Sequence, residues 1–447
     1  MNQLKSTNPA NGEVLGAVKI ATKAEIETAV KMARQGFLKW REISLETRGK
    51  ILLNAGELIN KNKVKLAQMI HNEMGKPLSE AKEEAAGSVM TIKNMVKIGL
   101  KCLPDEVLVQ KKSILRYDPV GIVALIKPWN FPLDTPFMAL APALMAGNSV
   151  ILKPSEYVPL VTDMLVKLFW QAGVPKDVLQ VLHGQGNVGA MLVDSPVDMV
   201  SFTGSTLVGK EIAKKCADRL IKFVLELGGS SPAIVSSDAD LELAAKEIIT
   251  GRFYNCGQVC CAIKRVYAER KIYNKLIKLL AEKIKSVELG PLVSAEQLKK
   301  FEGQITRGVV QGGRIIFGGR RLRDEKHIKG FYHEPTMMIH VHNKMEIMRQ
   351  ETFGPVLPVM EVENFDQAIK LANDNDFGLT AVVFTRDKIK INRAQKELVA
   401  GSVYINVNCA FPSGAPWSGL KQSGFGTESG KHGIWEFVHK KHWYVQR

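Results

Sequence analysis

From Ile114 to Val235 the chain alternates short apolar segments with segments of helical periodicity, and this alternation limits the fold more than any other feature. The predicted strands are Ile114–Tyr117, Gly121–Ile126, Ser149–Leu152, Val178–Leu182, Met199–Phe202, Phe223–Leu225 and Ala233–Val235. The predicted helices are Val161–Gln171, one that begins with Val188–Leu192, and Val208–Ala217. Such alternation predicts an α/β fold with a mostly parallel, doubly wound sheet. Sheets of this kind bind ligands at the carboxyl ends of their strands.

The sequence also predicts helices and strands in the regions before and after this segment. Thr22 and Glu25 have the spacing of a capping box, which predicts a helix that continues through Phe37. Helical periodicity also covers 45–75 and 79–101, so the first hundred residues are predicted to be mainly helical. A second alternating set runs from Leu241 to about Thr427, with predicted elements at Tyr273–Val287, Arg314–Phe317 and Gly401–Asn406. The tail Trp435–Val445 alternates apolar and polar residues as an edge strand does.

Composition excludes several classes of protein. With 447 residues the chain is long enough for two or three domains, and no apolar run reaches the roughly 18 residues that span a bilayer. The N-terminus lacks the apolar centre of a signal peptide, so we expect a cytoplasmic protein without membrane partners. The net charge of +16 is dispersed among acidic residues, which favours steering of anionic small molecules over nucleic-acid binding.

Six cysteines raise the questions of disulfides and metal binding. A chain of this size without a secretory signal does not need disulfides to be stable. The spacing of Cys256, Cys260 and Cys261 is not accompanied by a histidine or cysteine pair at zinc-finger distance, so we expect no metal. Cys256 and Cys261 are interpreted as structural thiols, and Cys260 as the reactive one.

Three residues suggest chemistry on a carbonyl group. Cys260 follows a Gly-Gln turn, Glu226 ends an apolar strand before Gly228 and Gly229, and Asn130 lies in a turn bounded by prolines. A thiol nucleophile, a partly desolvated carboxylate as general base and an amide donor to an oxyanion form a consistent set. Taken singly, each residue is more simply a buried thiol, a capping or ion-paired glutamate and a turn-forming asparagine.

Two glycine patterns and one strand end suggest a dinucleotide cofactor. Gly184-Gln-Gly186-Asn-Val-Gly189 fits the dinucleotide fingerprint, and Phe202-Thr-Gly204-Ser205-Thr also follows a strand and precedes a helix. Lys153 and Glu156 end another strand of the same sheet, where both can reach ribose hydroxyls. An acidic residue at the ribose disfavours the additional phosphate of NADP. The alternative for Lys153 and Glu156 is a solvated strand end.

Together these residues resemble the NAD(P)-dependent aldehyde dehydrogenase superfamily, in its compact and hydrolytic branch. The resemblance covers nearly the whole chain. The motifs that carry it are Pro128-Trp-Asn-Phe-Pro, Lys153-Pro-Ser-Glu, Phe202-Thr-Gly-Ser-Thr, Leu225-Glu-Leu-Gly-Gly, Gly257-Gln-Val-Cys, Glu351-Thr-Phe-Gly-Pro and Ser423-Gly-Phe-Gly.

The resemblance implies a mechanism and a role for each motif. Cys260 forms a thiohemiacetal whose oxyanion is held by Asn130, a hydride passes to NAD, and Glu226 activates the water that hydrolyses the thioester. The implied cofactor-binding residues are Trp129, Lys153, Glu156, Gly204, Ser205, Glu351 and Phe353. The Gly204–Ser205 turn is expected to contact the phosphates more closely than the 184–189 pattern does. NAD is the expected cofactor, with NADP as a second one.

The resemblance also implies the architecture. We expect a Rossmann-like NAD-binding domain at 1–102 and 119–227 and an α/β catalytic domain at 228–428. A small β flap for oligomerisation is expected at 103–118 and 429–447. The expected partner, besides the aldehyde, is a second copy of the chain in a homodimer or homotetramer.

The substrate is the least constrained prediction. Succinate-semialdehyde dehydrogenases grip the distal carboxylate with arginines, and the corresponding positions here are Met138 and Tyr254. With Phe131 and Phe411 they predict an apolar pocket for a neutral aliphatic or aromatic aldehyde. The alternatives are a semialdehyde dehydrogenase of the succinate-semialdehyde type, a CoA-acylating relative and a catalytically silent structural relative. The presence of Cys260, Glu226 and Asn130 disfavours the last two.

Overall fold

The computed structural model describes residues 3–109, 113–410 and 414–446. The helices are α1 Lys23–Trp40, α2 Leu45–Met74, α3 Leu78–Cys102, α4 Asp134–Ala146, α5 Pro159–Ala172, α6 Gly186–Asp194, α7 Thr206–Asp218, α8 Leu241–Phe253, α9 Arg270–Lys283, α10 Ala295–Val310, α11 Glu346–Arg349, α12 Phe365–Asn373, α13 Lys388–Glu397 and α14 Gly430–Glu436. The strands are β1 Gln3–Thr7, β2 Val14–Lys19, β3 Glu106–Val109, β4 Ser113–Pro119, β5 Ile122–Lys127, β6 Ser149–Pro154, β7 Leu179–Val181, β8 Met199–Thr203, β9 Lys222–Glu226, β10 Ser231–Val235, β11 Ile263–Glu269, β12 Arg314–Phe317, β13 Thr336–Ile339, β14 Val356–Val362, β15 Phe377–Gly378, β16 Thr380–Phe384, β17 Ser402–Ile405, β18 Leu420–Lys421, β19 Gly424–Phe425 and β20 Val438–Tyr444.

The first large sheet has six strands in the order β19-β9-β8-β5-β6-β7. Its strands are parallel except for β19, which is antiparallel to β9. Along the chain, β5, β6 and β7 follow one another in one direction across the sheet, and β8 then lies on the other side of β5. The strand order therefore reverses between β5 and β8, and a crevice at such a reversal is the usual ligand site of an open α/β sheet.

The second large sheet has seven strands in the order β12-β13-β14-β11-β10-β16-β17 and is parallel except for β12. Two mostly parallel sheets with helices packed on them confirm the predicted α/β class. The buried character of the central strands explains why their sequences read as continuous apolar runs, since both faces of a parallel sheet are covered. All six residues of β5, for example, are buried.

A third, three-stranded antiparallel sheet has the order β20-β4-β3. In β20 the register pairs Val438 with Pro119 and Tyr444 with Ser113, so the predicted edge strand in the tail is present. It is shorter than predicted, because Trp435 belongs to α14. The expected domains and their boundaries remain a prediction.

Two elements of the N-terminal third were not predicted from the sequence. The hairpin of β1 and β2 precedes α1, where we expected no strands. Helix α4 follows β5 and contains Pro142 in its interior, and it is buried on nearly all sides. A helix that is covered all round lacks the amphipathic stripe by which helices are recognised, and proline argues against a helix.

The elements around α4 form the core beside the first sheet. Helix α2 packs against α3 and α5, and α3 packs against α4. This packing holds the first turn of α4 next to the loop that follows β5. Among the described residues no helix combines the length and the apolar character that crossing a bilayer requires.

Candidate active site

A cavity of about 380 Å³ lies beside Cys260. Its lining comes from segments far apart in the chain, namely Thr91, Phe131, Asp134, Thr135, Met138, Thr203, Glu226, Leu227, Gly251, Tyr254, Val259, Cys260, Cys261, Ala262, Asn408, Cys409, Trp417 and Glu428. The structure therefore brings two members of the predicted set, Cys260 and Glu226, to one cavity.

The turn before Cys260 is held in an unusual backbone conformation. Asn255 and Cys256 have φ values of +50° and +56°, and Gly257 has +70°. A side chain at Gly257 would place its Cβ 2.6 Å from the carbonyl oxygen of Gly354, so only glycine fits there. The Gln258 side chain donates to the carbonyl oxygen of Asn255 over 3.1 Å and accepts from the Val293 N–H over 2.9 Å. These constraints direct Cys260 into the cavity.

Cys260 is a thiol in the resting structure rather than a preformed thiolate. Its hydrogen bond with Cys261 and its burial raise the pKa well above the usual range, and Lys264 opposes this shift. Cys261, which we interpreted as structural, also lines the cavity, and its Sγ lies 3.0 Å from the Sγ of Cys409. Within the described ranges no group of three or more histidine, cysteine, aspartate or glutamate side chains is arranged to hold a metal ion.

Glu226 is the last residue of β9 and pairs with Thr203 of β8. It is buried, and neither carboxyl oxygen has a partner at ordinary hydrogen-bond geometry within the part of the chain described. Burial, followed by the charges of Glu428 and Cys260, raises the pKa of Glu226 well above 4.5, while Lys127 and Trp417 oppose the shift. A raised pKa is the property expected of a carboxylate that takes up a proton near neutral pH.

A buried ion pair beside Glu226 was not found from the sequence. Lys127 is the last residue of β5, and its Nζ donates to Glu428 over 2.6 Å, to Thr203 over 2.9 Å and to Ser201 over 3.1 Å. Both charged side chains are almost fully buried. Because 301 positions separate the partners, no local pattern predicts the pair. A lysine that ends an apolar parallel strand was the one available signal.

Asn130 lies beside the cysteine turn but does not line the cavity. Its Nδ2 donates to the carbonyl oxygen of Gln258 over 3.0 Å, and its own carbonyl oxygen accepts from Asn255 over 3.0 Å. These bonds fasten the loop after β5 to the turn that carries Cys260. The structure therefore places Asn130 against Gln258, which precedes the nucleophile in the same turn, and the oxyanion role of Asn130 remains a prediction.

A second cavity, of about 510 Å³, lies at the carboxyl ends of β5, β6 and β8. Five of the predicted cofactor residues line it, namely Trp129, Lys153, Glu156, Gly204 and Ser205. Gly186 and Gly189 of the other glycine pattern line it as well. Thr203 lines both cavities, so the two adjoin at the end of β8.

The second cavity fits a dinucleotide. Ser205 is the N-cap of α7, and its side chain accepts from the Val208 N–H. This helix start lies in the cavity wall, and the start of a helix is a favourable position for an anion. A Cβ at Gly204 would lie 2.5 Å from the Phe202 ring, so any larger residue would have to displace that ring. The Nζ of Lys153 lies 3.8 Å from the Glu156 carboxylate, and burial lowers the pKa of Lys153.

The remaining two predicted cofactor residues lie outside the lining of this cavity. The Glu351 carboxylate accepts from the Gly229 N–H over 3.0 Å and from Lys264 Nζ over 2.7 Å. Phe353 packs edge-on against Trp129 with 5.5 Å between ring centroids. Lys264 also donates to the carbonyl oxygen of Cys260 over 2.9 Å, so it joins Glu351 to the nucleophile loop. No sequence pattern indicated this role for Lys264.

Three of the four predicted substrate residues line the first cavity. Phe131 and Tyr254 stack with 6.3 Å between ring centroids and an angle of 5°, and Met138 also contributes to the wall. Phe411 falls outside the described residues. The lining contains the carboxyl groups of Asp134, Glu226 and Glu428, and none of its described residues is a lysine or an arginine.

Comparison with known proteins gives consistent results. The model of the aldehyde dehydrogenase family matches residues 1–443. A betaine aldehyde dehydrogenase of Bacillus subtilis strain 168 is 36% identical, over 98% of this chain and 93% of that protein. A succinate semialdehyde dehydrogenase [NAD(P)+] of Escherichia coli strain K12 is 34% identical, over 97% of this chain and 96% of that protein. The solved structure of a 3,6-anhydro-L-galactose dehydrogenase superposes with a TM-score of 0.96 at 33% identity, covering 100% of this chain and 96% of that one.

Proposed function

The chain belongs to the aldehyde dehydrogenase family, and on that premise we propose that it oxidises a neutral aliphatic or aromatic aldehyde to the carboxylic acid through Cys260 and Glu226. The observation that carries this proposal is the meeting of a thiol and a raised-pKa carboxyl group in one cavity that adjoins a dinucleotide-sized cavity. A nucleophile and a separate general base are what a covalent oxidation with hydrolysis requires.

The chemistry of the chain's own residues follows from this arrangement. The Cys260 thiol releases its proton to solvent water, and the sulfur bonds to the aldehyde carbon, whose carbonyl oxygen becomes an oxyanion. The Asn130 amide stabilises this oxyanion once the amide has left the carbonyl oxygen of Gln258. When NAD(P) is bound, its nicotinamide ring supplies the acceptor for the hydride of the aldehyde carbon. Glu226 then takes a proton from the water that attacks the resulting Cys260 thioester. The carbon–sulfur bond breaks, the acid is released, and the proton held by Glu226 passes to the Cys260 sulfur, which restores both the thiol and the carboxylate.

The cofactor is held by the residues at the strand ends. Ser205 and the N–H groups at the start of α7 receive the pyrophosphate, and Lys153 and Glu156 receive the adenosine ribose. Glu351 and Phe353 serve the nicotinamide end, which requires Glu351 to share or leave its bond with Lys264. Glu156 favours NAD over NADP, because its carboxylate repels a 2′-phosphate.

The walls of the substrate cavity support an aldehyde without a distal carboxylate. A carboxylate buried without a cationic partner suffers a desolvation penalty on the order of several kcal/mol. A lysine close to the aromatic wall is Lys76, whose Nζ lies 3.8 Å from the centre of the Phe131 ring. Lys76 is fully buried and paired with Glu84, so its charge is already compensated. This removes the main cationic candidate for holding an acidic tail.

A semialdehyde dehydrogenase of the succinate-semialdehyde type is the second candidate, because the 34% identical relative from Escherichia coli bears that name. The two candidates differ in the charge of the aldehyde tail, so one substrate series separates them. A CoA-acylating activity would need no general base, and the presence of Glu226 in the cavity with Cys260 disfavours it.

The test is a series of kcat/KM values for acetaldehyde, hexanal, benzaldehyde and succinate semialdehyde at fixed salt, with and without CoA. We expect hexanal and benzaldehyde to exceed succinate semialdehyde. Each methylene that fits the cavity improves binding by about 0.8 kcal/mol at most. A preference for succinate semialdehyde of about tenfold, or 1.4 kcal/mol, would show that a cationic group from outside this cavity wall holds the tail.

We also propose a cytoplasmic homodimer or homotetramer. Strand β20 forms one edge of the three-stranded sheet, and Trp443 and Tyr444 on it are exposed. An exposed strand edge with aromatic side chains favours pairing with a second copy. Light scattering on the purified chain measures the mass directly, and a monomer at micromolar concentration would contradict this assembly.

A further inference from the structure

One charged side chain in the wall of the substrate cavity has no part in the mechanism above. Asp134 is the first residue of α4 and lines the cavity together with Phe131 and Tyr254. Its Oδ1 accepts a hydrogen bond from the Ser88 hydroxyl over 2.7 Å. This bond restrains the orientation of a carboxyl group that lies in the cavity wall.

The charges around Asp134 do not neutralise it. Glu84 lies close to Asp134, because its carboxylate accepts from the backbone N–H of Leu133 over 2.9 Å and from that of Asp134 over 3.4 Å. Lys76, the cation of this group, is paired with Glu84, and both side chains are fully buried. The nearby lysine is therefore paired with Glu84 rather than with Asp134, so Asp134 adds a further negative charge whenever it is ionised.

The aromatic part of the cavity wall, formed by Phe131 and Tyr254, also has acidic residues close to it. The Tyr254 hydroxyl donates to Glu83 over 3.2 Å, and the backbone N–H of Asn255 donates to Glu80 over 2.7 Å. Burial, and then the charges of Glu80, Glu83 and Glu84, raise the pKa of Tyr254. Three carboxyl groups therefore lie close to this side of the cavity, in a protein whose net charge is strongly positive. Burial raises the pKa of one of them, Glu80, to about 7, so its negative charge also develops near neutral pH.

We propose that Asp134 is a specificity-determining residue that favours aldehydes whose tail carries a cationic amino group. This inference rests on the proposed function and adds a third class of substrate to it. We expect a cationic tail to be preferred to a neutral tail of the same shape, and a neutral tail to be preferred to an anionic one.

An acid in the first turn of a helix also interacts favourably with the helix dipole. The hydrogen bond from Ser88 gives Asp134 a structural role in α4 whether or not it contacts a substrate, although its raised pKa means that the surroundings disfavour the charged form on balance. The two roles are separable, because a purely stabilising role predicts no dependence of substrate choice on this side chain.

The protonation state of Asp134 gives a second readout. Burial and the charge of Glu84 raise the pKa of Asp134 to about 7, while Ser88 and Lys76 oppose the shift. The other titratable groups that line the cavity are Glu226, Tyr254, Cys260, Cys261, Cys409 and Glu428. As the pH rises through about 7, Asp134 becomes negative, so the preference for a permanently cationic aldehyde over its neutral isostere increases. Taking the ratio of the two substrates cancels the catalytic requirement for ionised Cys260 and Glu226, which both substrates share. Loss of the pH dependence in Asp134→Asn then separates the charge of Asp134 from that of Glu226 in the same cavity.

The experiment compares isosteric pairs with the full-length enzyme and saturating NAD. Betaine aldehyde and 3,3-dimethylbutanal differ only in a positively charged nitrogen in place of a carbon. The pair 3-aminopropanal and butanal makes the same comparison for a primary ammonium, which in addition donates hydrogen bonds. We expect at least one cation to exceed its isostere in kcat/KM by about tenfold, the scale of a hydrogen bond to a charged group.

Asp134→Asn keeps the shape of the side chain and its bond with Ser88 but removes the charge. We expect the ratio of cation to isostere to fall about tenfold in this variant. The matched control is Asp366→Asn, which makes the same change in the first turn of α12, where Asp366 pairs with Arg393 on the surface. We expect this control to keep the wild-type ratio.

The outcomes separate this inference from the function on which it rests. Oxidation of both neutral isosteres without any advantage of the cations would overturn the role of Asp134 and leave the dehydrogenase function standing. A cation advantage that persists in Asp134→Asn would overturn it as well. If that variant does not fold, a wild-type ratio for betaine aldehyde that stays flat between about pH 6 and 8, one unit either side of the raised pKa, decides against the proposal. Failure to oxidise any aldehyde would refute the proposed function itself.

Discussion

The two adjoining cavities are built in different ways. The cofactor cavity is formed mainly by loops and turns that directly follow β5, β6 and β8, neighbouring strands of one sheet. The substrate cavity draws on helices α3, α4 and α8, on the cysteine loop and on segments near the C-terminus. The first is therefore a property of one sheet, whereas the second depends on how several units of the molecule pack.

This difference determines which features are readable from sequence. Strand ends in a parallel sheet meet at one edge, so Lys153, Glu156 and Ser205 fall together once the strands are identified. The wall of the substrate cavity has no such rule, and Asp134 is placed there by the packing of a helix that the sequence did not predict. Because the two cavities are built from different elements, we expect a substitution in one cavity to leave binding in the other largely intact.

The largest expected effect is in the substrate cavity. Cys260→Ala removes the nucleophile, and we expect kcat to fall on the order of 10⁴-fold or more. Since the cofactor cavity does not include Cys260, NAD binding measured by fluorescence titration is expected to persist. Cys256→Ala and Cys261→Ala serve as matched controls that retain most activity. Full activity of Cys260→Ala would contradict the assignment, and loss of NAD binding would break the separation of the two cavities.

The next effect concerns the second half of the reaction. In Glu226→Gln we expect a burst of NADH followed by a steady-state rate reduced by about 10² to 10⁴, the usual scale for a general base. Because the pKa of Glu226 is raised and the base must be unprotonated, the wild-type rate falls as the pH falls through that pKa. This acidic limb of the pH profile is expected to vanish in the variant. An unchanged steady-state rate would remove Glu226 from the mechanism.

The smallest effect is in the cofactor cavity. Glu156→Ser removes the carboxylate near the expected ribose position, and we expect the ratio of kcat/KM for NAD over NADP to fall by about tenfold, or 1.4 kcal/mol. The aldehyde preference measured with saturating NAD is expected to stay as in the wild type, which sharpens the contrast between the cavities. A wild-type preference for NADP would show that the role of Glu156 is misassigned.

Much of the fold follows from periodicity, and the exceptions have physical reasons. Helices α1, α2 and α3 lie close to their predicted bounds, because each buries one face and exposes the other. Helix α4 was missed because it buries almost its entire surface and so has no polar face to reveal its period. The β1–β2 hairpin was missed because its short strands are largely exposed and carry little apolar alternation.

The sequence by itself determined the α/β class, the family and the candidates Cys260 and Glu226, since these depend on local patterns that survive without knowledge of packing. Only the tertiary structure decided the environment in which they act. The ion pairs Lys127–Glu428 and Lys264–Glu351 join segments that are distant in the chain. The position of the Asp134 carboxyl group in the cavity wall likewise depends on the packing of distant segments. Protonation and substrate charge depend on burial and on nearby charges, and both are set by which segments pack together rather than by their order along the chain.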